Sequence, residues 1–254
     1  MEFLNRLHDR NELLFYFGVF NFLLALIFIV LSRVHQVEVS GVNAWFKPIK
    51  FALSIGILAW TMGWYMAYLP NTKVVDIYSW CYLILMGFEI VYIGYQAGRG
   101  EASHFNVSTP LYSFLYGMMG FSAAFVAAFT AYIGVLFFVN TFPDLPDYYI
   151  WAIRLGIIIF VIFAFEGFVM GSRMQHTIGA TDGEEGLPFL NWSKKFGDAR
   201  IAHFIGIHAL QVLPILAFYV LKNTKLTIVL AIGYAALAVF TLLRALQARP
   251  LFGF

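Results

Sequence analysis

Seven stretches of the chain, at about residues 13–32, 51–69, 75–96, 111–139, 149–171, 201–221 and 226–246, are each long runs of mostly apolar side chains. Crossing about 30 Å of hydrocarbon takes roughly 20 such residues in a helix, so each run is long enough to span a bilayer. Hydrocarbon offers no partner to a backbone N–H or C=O, which leaves α-helices and closed β-barrels as the spanning structures. Barrel strands alternate apolar and polar side chains, and these runs do not. The sequence therefore predicts an all-α fold: a polytopic transmembrane bundle of about seven helices, forming a single membrane-embedded domain over 1–254 with the lipid bilayer as its main partner. Composition agrees, since 61% of residues are hydrophobic and 12% charged, against about 45–50% and about 25% in soluble domains.

The breaks between runs carry turn chemistry: Pro70-Asn71, Ser108-Thr109-Pro110, Pro143 to Asp147, and Lys222 to Lys225. The first run exceeds the about 7–15 residues of a cleavable signal core, and Arg33 to Gln36 after it is no cleavage site, so it is expected to be a retained helix. Three connections, 33–50, 97–110 and 172–200, are longer than a reversal needs, and seven spans put all three on one side with the C-terminus. Ten Lys and Arg residues fall on that side and five on the other. The excess points to cytoplasmic long loops and an external N-terminus. Asn-Val-Ser at 106 and Asn-Trp-Ser at 191 would then be chance sequons. No basic run suits nucleic acid, and Cys81, the sole cysteine, excludes a disulfide framework or a multi-cysteine metal site. Asn43 to Lys47 and Asn191 to Lys194 hint at a three-plus-one-plus-three duplication, although so short a match carries little weight.

Ionisable side chains inside apolar helices are costly and mark function or pairing. Here they are Glu89, Arg154, Glu166, His203, His208 and Arg244. At about 1.5 Å per residue, Glu89, Glu166 and His208 fall at similar depths beneath Arg99, Arg173 and Arg200, which suggests one polar layer under the long loops. Helical phase groups Glu89, Tyr92 and Gln96 on one face, and His208 with Gln211. It also sets His203 and His208 about 140° apart, which disfavours their sharing a metal.

Three chemical readings follow. The first is a redox protein with haem or a transition metal ion, for which His104, His203 and His208 are the ligands. Glu89 and Glu166 are then ligands or proton carriers, the catalytic candidates, and Arg99, Arg173 and Arg200 bind cofactor propionates or an anionic substrate. The second is proton-coupled transport of a small, anionic solute. The third is an intramembrane metal-dependent hydrolase, which the histidine spacing fits poorly. Against all three stands a purely structural role, with Glu89 paired to an arginine such as Arg154.

The segments Asn43 to Phe51, Gln96 to Gly100, Ser103 to Asn106, His176 to Gly179 and Gly197 to Gln211 resemble a family of bacterial inner-membrane proteins of uncharacterised activity. The resemblance covers most of the chain. It implies a bacterial membrane protein and implies no reaction.

Overall fold

A computed structural model describes residues 2–251, and within them the chain is all-α. After a short N-terminal helix, α1 (Glu2–Arg10), come α2 (Glu12–Val34), α3 (Phe46–Met66), α4 (Thr72–Arg99), α5 (Pro110–Val139), α6 (Asp147–Arg173), α7 (Ala199–Leu216) and α8 (Thr224–Leu246). α7 runs on into a π-helical turn, Ala217–Leu221, just past Pro214. Two antiparallel ribbons complete the chain, β1 (Glu38–Val39) with β2 (Val42–Asn43), and β3 (Thr177–Ile178) with β4 (Gly197–Asp198). Seven helices, with α7 counted through its π turn, are long and apolar enough to cross a membrane.

Five of the seven spans begin for a visible local reason. The side chains of Asn11, Asn71, Asp198 and Asn223 accept hydrogen bonds from backbone N–H groups in the first turns of α2, α4, α7 and α8, satisfying donors a helix start leaves open. α5 opens on Pro110, where a missing N–H costs nothing. α4 closes on Gly100, at φ 70°, a left-handed cap that favours glycine.

The chain divides into two compact units, residues 1–126 and 127–254. In the first, α2 and α3 pack closely because small residues sit opposite large rings. A Cβ on Gly18 would fall 2.1 Å from Trp60 Nε1, and one on Gly56 2.7 Å from Phe22. The Trp60 indole also donates to the Phe15 carbonyl at 3.0 Å. Tyr82 on α4 is buried and donates to the Ile55 carbonyl on α3 at 2.8 Å, and Asn11 donates to Ser79 at 2.9 Å. Close approach of small residues and interhelical hydrogen bonds are what can hold helices together where lipid supplies no hydrophobic contrast.

The second unit repeats the device. A Cβ on Gly206 of α7 would meet Phe163 of α6 at 2.0 Å, and one on Gly156 would meet the Ala209 carbonyl at 3.1 Å. Tyr234 on α8 donates to the Ile205 carbonyl at 2.7 Å. The element order recurs too: a long helix, a two-stranded ribbon, then two long helices, as α2-β1-β2-α3-α4 and again as α6-β3-β4-α7-α8. The short sequence echo does not mark this correspondence. Asn43 lies in β2, whereas Asn191 precedes β4 by several residues.

Candidate functional site

In the second unit the decisive pair is Glu166 on α6 and His203 on α7. Glu166 is 7% exposed. Neither of its carboxylate oxygens has a hydrogen-bond partner, nor has His203 Nδ1. The two side chains nevertheless face each other, with Nδ1 3.5 Å from Oε2. That separation is beyond the usual 2.7–3.2 Å of an N–H···O bond, so it is an ion-pair distance rather than a made hydrogen bond. The approach follows from packing. Gly167, next to Glu166, leaves room for the imidazole, whose Cε1 would lie 3.3 Å from a Cβ there.

The remaining sequence candidates of this unit separate from that pair. His208 turns to Gln211, Nδ1 to Oε1 at 3.2 Å, and packs edge-on against Phe204 at 4.4 Å between centroids. Helical phase sets its direction about 140° from that of His203. Arg200 is committed to the start of its own helix: Nε donates to Asp198 Oδ1 at 2.9 Å, and Nη2 reaches Asp198 Oδ2 and the Asn191 carbonyl. Asp198 is fully buried as a side chain and also accepts from the Ser193 N–H at 2.8 Å. Arg173 is exposed at the end of α6. Arg154 donates to the Phe137 carbonyl, so the suggested pairing with Glu89 is replaced by a backbone contact. Arg244 donates to the Pro250 carbonyl at 2.7 Å.

In the first unit, Glu89, Tyr92 and Gln96 share a buried face of α4, at 5%, 6% and 0% exposure. The opposing charge that acts on Glu89 is Lys47, from the first turn of α3. In sequence Lys47 falls in the 33–50 connection; only the fold reveals that it acts on a carboxylate. Gln96 Nε2 donates to the Ala102 carbonyl at 3.2 Å, while its Oε1 and the Tyr92 hydroxyl are buried near each other outside hydrogen-bonding geometry. Ala102 leads into Ser103 and His104. His104 Nδ1 lies 3.2 Å from Ser103 Oγ, and its ring sits against Phe51 and Tyr116. Arg99 is half exposed, bonded to Tyr95 at 3.0 Å and to Glu101 at 3.1 Å. The Tyr112 hydroxyl and then Arg99 hold the Glu101 carboxyl below its ordinary range.

His176 opens a segment already marked in the sequence, but its partner, Asp182, is revealed only by the fold. Asp182 accepts from His176 Nδ1 at 2.7 Å, from the His176 N–H at 3.0 Å and from the Thr177 N–H at 2.8 Å. Burial alone would raise its pKa, but these bonds and the imidazole outweigh it and hold the carboxyl well below the usual range. Only a short aspartate loop marks this in sequence.

Among the described residues no three His, Cys, Asp or Glu side chains come together as a metal site. The metal and haem readings of His104, His203 and His208 gain no support from this arrangement. Comparison with family models, with curated proteins and with solved structures gives no match to this chain.

Proposed function

We propose that the protein is a proton-coupled transporter of a small solute, with Glu166 and His203 as its proton-carrying pair. The observation that carries this reading is a buried carboxylate, with no hydrogen-bond partner, facing an imidazole across 3.5 Å on a membrane-crossing helix pair. An ionised carboxylate left alone in such surroundings is costly. One proton removes the cost in either of two placements, as imidazolium facing carboxylate or as imidazole facing carboxylic acid. Loss of that proton strands the carboxylate, so occupancy of the pair is coupled to how α6 and α7 pack. Intramembrane Glu–His pairs of this kind mark proton pathways. The recurring element order of the two units supports the same reading, because repeated halves are common among transporters. In the bacterial inner membrane, with the long loops cytoplasmic, the pair would lie toward the cytoplasmic side, where Arg173, exposed at the end of α6, is the candidate of its own unit to attract an anionic solute.

The test uses purified protein in liposomes, with solute-induced currents recorded for a panel of organic anions under an imposed pH gradient. Wild-type protein is expected to give currents that reverse with the gradient for at least one solute. Glu166→Gln is expected to abolish them while the protein stays monodisperse with an unchanged melting temperature. Gradient-independent currents, or a Glu166→Gln variant that transports normally, would end this reading.

A further inference from the structure

Arg154 is a costly intramembrane cation that the Glu166–His203 pair does not use. It lies on α6, seven residues after Asp147. One of its five N–H donors is engaged, Nε to the Phe137 carbonyl at 2.8 Å. Its guanidinium lies over the rings of Phe138 and Trp151, 5.1 and 5.3 Å from their centroids. Among the described residues no carboxylate is ion-paired with it.

Arg154 also lines a cavity of about 260 Å³ at the turn between α5 and α6, together with Asn140, Thr141, Phe142, Trp151 and Asp147. Asp147, the first residue of α6, is the other charge there, and among the described residues it too has no ion-pair partner. The two residues are seven apart and so share a face of the helix. Helical side chains lean toward the N-terminus, which brings the Arg154 head toward Asp147. The cavity thus offers an unpaired cation and an unpaired anion, with an apolar wall from Phe142 and Trp151. Its volume falls below the roughly 300–1,000 Å³ of sites for drug-sized ligands, so its occupant is small.

We propose that this cavity binds a small zwitterion, its anionic group on Arg154 and its ammonium group on Asp147. The chemistry has two sources, the phosphoethanolamine headgroup of a membrane lipid and a free α-amino acid. The site stands on different residues from the proton-carrying pair, so the two readings fail separately.

The experiment is calorimetric titration of the full-length protein in detergent with glycerophosphoethanolamine, L-alanine and L-leucine. Glycerol 3-phosphate serves as the anion alone and ethanolamine as the cation alone. At least one zwitterion is expected to bind tenfold or more tightly than either single-charge probe, and Arg154→Gln and Asp147→Asn are each expected to weaken it at least tenfold. Asp147 is exposed in the first turn of α6, so its variant tests the site even if Arg154→Gln fails to fold. Binding of the headgroup compound alone assigns a lipid site, and binding of the amino acids alone assigns a solute site. Absence of binding by every zwitterion overturns the proposal, as does glycerol 3-phosphate binding equally well with Asp147→Asn without effect.

Discussion

At the scale of single residues, the side chains that matter differ in what they leave unmet. Glu166 and His203 leave polar atoms without partners, whereas Asp182 and Asp198 have theirs filled several times over. That contrast sets the expected pH behaviour of the loop between α6 and α7. Asp182 has a folded pKa depressed below the about 3.9 of an unperturbed aspartate. Its contribution is therefore fully present above that unfolded value and disappears as pH falls through the folded one. Proteolysis of the 174–198 segment should thus be equally slow at pH 7 and pH 5 and accelerate only in strong acid. Asp182→Ala should expose the Thr177 N–H to hydrogen exchange at neutral pH, at a local cost of about 1–3 kcal/mol for the lost charge-assisted bonds. Faster cleavage already at pH 5 would count against this account. The residue types at issue were visible in sequence, because Glu89, Glu166 and His203 are conspicuous inside apolar runs. Their partners were not, because pairing depends on which faces of α3, α4, α6 and α7 meet.

Among the helices, glycine placement decides how near two backbones come. Gly206 has Phe163 Cγ 2.0 Å and Phe163 Cβ 2.2 Å from where its own Cβ would be, and a ring anchored so close to its backbone cannot swing clear. Gly206→Ala should push α6 and α7 apart, cost about 1–3 kcal/mol as overpacking does, and lower the melting temperature. Gly233 on α8 has nothing within 4 Å of that position, so Gly233→Ala should stabilise by roughly 0.5–1 kcal/mol by removing helix-interior glycine. Equal melting temperatures for both variants would contradict this view of the packing. Apolar run length located all seven long helices, and most ends lie within three residues of those observed. The second span differs most. It starts at Phe46 rather than 51 and ends at Met66 rather than 69, because Lys47, Pro48 and Lys50 look like a loop in sequence but form the first turn. The ribbons were illegible for another reason: each strand has two residues, and β3 finds β4 only across the intervening residues 179–196. α1 was missed because its apolar content is low, although Leu7 is fully buried.

For the molecule as a whole, the number of spans makes a prediction that no single site does. Seven crossings would put the two ends of the bundle on opposite sides, and the charge bias predicts cytoplasmic long loops. With Cys81→Ser as a cysteine-free background, single cysteines at positions 101 and 184 should react only with reagents that reach the cytoplasm. Cysteines at 144 and 222 should react from outside. These positions lie in the 97–110 and 172–200 loops and in the opposite turns, respectively. The reverse pattern would invert the orientation, and a mixed pattern would remove a span.

Asp198 pairs through its backbone with Thr177 in the second ribbon, while its carboxylate caps α7, grips Arg200 and accepts from the Ser193 N–H. The loop outside the bilayer and the first turn of α7 are therefore one mechanical piece, and His203 follows little more than a turn later. An antibody fragment that clamps residues 182–196 would hold a lever on an imidazole it never touches, so inhibitors of this protein need not enter the lipid at all.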